Sequence, residues 1–131
     1  MNVNILLKRV FPAVLLVSSL LAGASAFAHG STKPEHGGVV QLVGETLFEL
    51  VVRPKVVSLY VMEDHEPVDS AAINAKLTIL AKGEKSEVML KPAGGNKFEA
   101  KDVTIPVGAR VAVTLVNKTT RAQSGVTFSI K

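Results

Sequence analysis

The sequence contains no cysteine, no tryptophan and a single tyrosine in 131 residues. Without cysteine there is no disulfide framework, no thiolate zinc site, no iron–sulfur cluster and no cysteine nucleophile. Aromatic residues make up 5%, and the lysines and arginines are scattered singly with no basic stripe. That composition predicts no nucleic-acid partner. Helical periodicity is also scarce: only residues 69–75 suit a helical turn, and no apolar i, i+3, i+4 pattern runs over ten positions. The length suits one domain and falls far below the roughly 250 residues of a (β/α)₈ barrel. With 47% hydrophobic and 20% charged residues, the chain is too apolar for intrinsic disorder.

The acid–base inventory is thin. There are three histidines, His29, His36 and His65, and one carboxylate cluster, Glu63-Asp64-His65-Glu66, followed by Pro67 and Asp69. Neither a Gly-x-Ser-x-Gly elbow nor a His-Glu-x-x-His helix motif occurs, and no phosphate-cradling glycine loop opens a helix. Gly37-Gly38 and Gly94-Gly95 read as turn glycines. The expectation is a protein that is not an enzyme and carries no organic cofactor.

What is present first is a targeting signal. Lys8 and Arg9 form a positive n-region, residues 10–22 an apolar h-region, and Ala26-Phe27-Ala28 a small-x-small cleavage site. The apolar run is shorter than the about 20 residues of a membrane span. Residues 1–28 therefore read as a signal peptide, with no membrane span after cleavage and a periplasmic or secreted mature protein. Loss of Lys8 and Arg9 leaves 13 of the 15 basic side chains against 11 acidic ones, so the overall basicity is partly the signal's.

From Gly37 onward the chain reads as strands. Period-two alternation recurs over residues 39–43, 46–53, 56–63, 75–81, 87–91, 97–100, 110–116 and 126–131, with turn residues between. Leu59, Val61, Leu77, Ile79, Val88, Leu90, Val111, Val113, Leu115, Phe128 and Ile130 form the expected core. Seven or eight short strands at this spacing predict an all-β fold, a single antiparallel immunoglobulin-like β-sandwich over residues 37–131. Residues 29–36 lack apolar pattern and read as a flexible amino-terminal arm.

Cleavage after Ala28 would make His29 the first residue. Its α-amine and imidazole can chelate one ion through two nitrogens, and a second imidazole from His36 or His65 would complete a three-nitrogen site suited to Cu(II). Met62 offers a soft thioether for Cu(I). Each residue also has a plain structural reading. His29 can be an unstructured terminus, His36 a turn residue before Gly37-Gly38, His65 a solvated loop residue and Met62 a packing residue. Asp64, Glu66 and Asp69 lack the spacing of a twelve-residue calcium loop and read as a solvated acidic turn.

Three runs carry a family resemblance: Glu35-His36-Gly37-Gly38-Val39-Val40, Leu47-Phe48-Glu49-Leu50-Val51-Val52, and residues 59–68 from Leu59-Tyr60 into the acidic turn with Pro67. Residues 75–80 and 91–96 continue it. Together they resemble the small β-sandwich at the start of periplasmic adaptor subunits of heavy-metal efflux pumps of the resistance–nodulation–division type. Stand-alone periplasmic proteins of the same module are similar too. The resemblance implies an accessory role in transition-metal handling, with copper or zinc as the ion, His36 as a candidate ligand and a periplasmic or inner-membrane efflux component as partner. The residues alone leave open a metal-free protein–protein interaction module that docks through a sheet edge.

Overall fold

A computed structural model describes residues 32–131. The proposed signal peptide, residues 1–28, and His29 lie outside the described residues. The fold is all-β. Among the described residues nine antiparallel strands run in the order β1 (Val39–Val43), β2 (Thr46–Arg53), β3 (Val56–Glu63), β4 (Glu66–Pro67), β5 (Ile73–Ala81), β6 (Glu84–Pro92), β7 (Lys97–Lys101), β8 (Arg110–Asn117) and β9 (Gln123–Ser129). Their spatial order is β1-β2-β3-β7-β6-β5-β8-β9, with β4 added to the end of β3. Among the described residues the only helical element is a single 3₁₀ turn, Ser70–Ala72, whose N-cap Asp69 accepts from the Ala71 N–H at 3.0 Å. No helix among them is long and apolar enough to cross a membrane.

The turns follow from the residues between the strands. Gly44-Glu45 joins β1 to β2 with Gly44 at φ +61, and Pro54-Lys55 joins β2 to β3 with Lys55 at φ +62. Proline fixes the first torsion of that second turn and ends β2. Asp64 and His65 both take positive φ, which makes the β3–β4 connection a two-residue hairpin of the type matched to strand twist.

One continuous path of strands folds over on itself because β6 changes partners. Its first seven residues pair with β5, whereas Lys91 and Pro92 pair with Glu99 and Phe98 of β7. The two ends of the path, β1 and β9, approach each other. Between the halves lies one core. Phe48, Leu50, Val57, Leu59 and Val61 from β2 and β3 meet Leu77, Val111, Val113 and Phe128 from β5, β8 and β9, all at most 2% exposed.

Three details correct the expectation. The strand count among the described residues is nine rather than seven or eight, because the hairpin at Asp64-His65 adds the two-residue β4. Val88 and Ile130 are half-buried at the rim of the core rather than inside it. Phe48, Val57, Phe98, Ile105 and Ala109 fill positions the expected list omitted.

Candidate functional site

The outer face of β2 should be wet by alternation, since Phe48 and Leu50 point to the core. Glu49 lies on that face and is nevertheless 5% exposed. What covers it is the segment leading into β1. The Glu49 carboxylate accepts the backbone N–H of Glu35 at 3.0 Å, of His36 at 2.8 Å and of Gly38 at 3.0 Å. It also faces the His36 ring, with Nδ1 3.0 Å from Oε1. Four donors converge on one carboxylate.

Burial pushes the Glu49 carboxyl up. The His36 ring N–H and the backbone N–H groups of Gly38, His36 and Glu35 outweigh that, and hold it below its ordinary value of 4.5. A carboxylate only accepts, so His36 Nδ1 carries the proton in this bond. In the neutral ring, Nε2 is then the nitrogen with a free lone pair, and 37% of the side chain remains exposed.

The ring is held a second way. His36 stacks on Tyr60 with centroids 3.5 Å apart and planes 4° from parallel. Strand register builds this neighbourhood: Val40 pairs with Glu49, Glu49 with Tyr60, and Tyr60 with Lys97. Lys97 Nζ sits 3.2 Å from Glu99 Oε2 and 5.9 Å from the centre of the Tyr60 ring. The Glu99 bond, with the Tyr60 phenol nearby, pushes the Lys97 ammonium up from its ordinary value.

Gly38 makes the approach possible. A Cβ there would collide with the Leu50 carbonyl oxygen and stand 2.8 Å from Val51 Cγ2. Only glycine lets the lead-in lie this close to β2 and hand its N–H to Glu49.

The other sequence-derived candidates are dispersed. His65 is exposed at the hairpin tip, which begins four residues, about 13 Å, beyond Tyr60 along the β3 direction. Met62 is half-buried on the same face as Tyr60, one pleat nearer that tip and opposite Leu47. His29 lies outside the described residues. Among the described residues no group of three or more His, Asp or Glu side chains could hold a metal ion. The acidic turn is exposed at Glu63, Asp64, Glu66 and Asp69.

Glu49 was the residue that alternation alone missed. Its signal was present in the run Leu47-Phe48-Glu49-Leu50-Val51-Val52, where a lone carboxylate inside a doubly apolar strand requires a buried partner. No family model matches the chain, and neither a curated protein nor a solved structure gives a match.

Proposed function

We propose that the chain is a small periplasmic accessory protein that binds a transition-metal cation, copper or zinc, in the service of metal efflux or resistance. Its domain is read as an immunoglobulin-like β-sandwich exported through a cleaved signal peptide, and its role as carriage rather than catalysis. The observation that carries the reading is the Glu49–His36 bond. A carboxylate that accepts a hydrogen bond from Nδ1–H fixes the tautomer and leaves the Nε2 lone pair uncommitted, the arrangement in which metal-binding imidazoles are commonly held. The described residues supply that one oriented nitrogen. His29, with its α-amine and imidazole, would supply the rest. The seven residues from His29 to His36 span at most about 25 Å, long enough for the terminus to fold back onto His36.

Titration calorimetry with Cu(II) and Zn(II) tests this on protein beginning at His29, on the same protein with one residue added before it, and on His36→Ala and His65→Ala. The added residue converts the amine to an amide and should weaken binding at least tenfold, about 1.4 kcal/mol. His36→Ala should do the same, and His65→Ala should not. Equal affinity across all four overturns the reading.

A second reading, a metal-free interaction module, has its own support. Among the described residues strand β1 pairs with β2 alone, and its Val39, Leu42 and Val43 stay exposed. An edge of that kind can accept a strand from another envelope protein.

A further inference from the structure

We infer that the β1 edge pairs with the β1 edge of a second copy of this chain, antiparallel and in register about Gln41, so that two domains join through one continuous sheet. The inference is independent of the metal reading. It names the occupant of the open edge in the second reading.

The strands with a free side are guarded unequally. β4 carries Glu66 and Pro67, a charge and a residue that cannot donate to a new strand. β9 exposes Gln123, Ser124, Thr127 and Ser129, all polar. β1, Val39-Val40-Gln41-Leu42-Val43, has neither charge nor proline, and its Val39, Leu42 and Val43 are 49%, 43% and 47% exposed. β9 comes near β1 but pairs with β8, so among the described residues the outer side of β1 has no strand partner.

Backbone alternation decides which groups point to that side. The two-residue turn Gly44-Glu45 closes on the Val43–Thr46 pair, so Val43, Gln41 and Val39 direct their N–H and C=O groups at β2. Val40 and Leu42 direct theirs away from it. A two-fold axis at Gln41 sets Val40 against Leu42 of the second copy, and Leu42 against its Val40. The outward backbone groups of the two strands then meet each other.

The side chains match in the same register. Val39 falls opposite Val43, and Gln41 opposite Gln41, whose amide both donates and accepts and so can bond its own copy. Gly38 falls opposite Gly44 at each end, where no side chain obstructs the approach. In polarity the strand reads the same in both directions, which suits a second copy rather than an unrelated strand. Each chain has one β1, so pairing uses up the edge and closes at two copies. Five paired residues make an interface smaller than the about 1,200 Å² of standard complexes, so the dimer should be weak, with a Kd of order 100 µM.

Sedimentation equilibrium over about 10 µM to 1 mM spans that constant. It is run on protein beginning at His29, with a chelator present so that no bridging ion contributes. The samples are the parent, Gln41→Lys, Gln41→Glu and an equimolar mixture of the two variants. Gln41 is exposed, so both variants should keep the circular dichroism of the parent. The parent should dimerise. Each variant alone should associate at least about fivefold more weakly, because like charges face each other across the axis. The mixture places Lys opposite Glu and should return to within about twofold of the parent. In the parent, hydrogen exchange at the Val40 and Leu42 amides should slow as concentration rises, a readout that stands even where a variant does not fold. A parent that stays monomeric, variants that associate as the parent does, or a mixture no better than either variant overturns the inference. None of these outcomes bears on the calorimetric test of metal binding.

Discussion

Replacing Glu49 by alanine removes the one acceptor shared by four donors, and the structure sets the size of the loss. Hydrogen bonds to a charged group contribute about 1.5–3 kcal/mol each. Simple addition over the N–H groups of Glu35, His36 and Gly38 and the His36 ring overshoots, because the lead-in can peel away and satisfy its donors with water. The loss is therefore bounded by what holds the lead-in to the sheet, and about 2–3 kcal/mol is expected. For a domain of this size that lowers Tm by roughly 10–20 °C. Glu49→Gln should fall between, since its amide keeps one accepting oxygen but turns an NH₂ toward donors. Urea unfolding measures the free energy, and amide hydrogen exchange at Glu35, His36 and Gly38 shows whether the loss is local. A loss in Glu49→Ala under about 0.5 kcal/mol, with those three amides still protected, refutes the reasoning.

The pH dependence follows from the same group. Glu49 is held below 4.5 in the folded state, so the unfolded chain takes up the proton first as pH falls. Its contribution is fully present above about pH 4.5 and drains away as pH drops through the lowered folded value, so the stability of Glu49→Gln should fall less steeply in that acid range than the parent's. Val113 is 2% exposed in the core, and Val113→Asp should cost several kcal/mol, read as a large drop in the urea midpoint. Gly38→Ala should displace the lead-in from β2 and cost about 1–3 kcal/mol, with deprotection of the His36 amide in hydrogen exchange.

Alternation made most of the fold legible. Each of Leu77, Ile79, Val111, Val113 and Phe128 alternates with a more exposed neighbour, and burial follows that period along β5, β8 and β9. It failed where the period carried no information. The start of β6, Glu84-Lys85-Ser86-Glu87, is exposed on both faces, so no side-chain pattern marks residues that backbone pairing with β5 makes a strand. It failed again at β4, because the hairpin turn at Asp64-His65 uses two non-glycine residues at positive φ, and the chain reads there as a plain acidic loop. The candidate site was legible residue by residue but not as a site. Period two says which face of β2 holds Glu49, and says nothing about a segment thirteen residues away folding over that face.

The His36–Glu49–Tyr60 cluster can be read as a staple for the lead-in or as the support of a ligand, and side-chain chemistry separates the two. Three backbone N–H groups already satisfy Glu49, so a staple needs little from the side chain at position 36. Asparagine could donate to the carboxylate, and phenylalanine would cover Tyr60 with more apolar area. Imidazole does both and, once its Nδ1 proton is committed to Glu49, also keeps a lone pair at the ring edge. That residual nitrogen has no task in the staple. His36 and Gly38 of the lead-in, Glu49 of β2 and Tyr60 of β3 meet around it, joined by hydrogen bonds or ring stacking. The staple accounts for glycine and glutamate at their positions. On the metal reading proposed above, the choice of histidine would be accounted for by a cation at its second nitrogen.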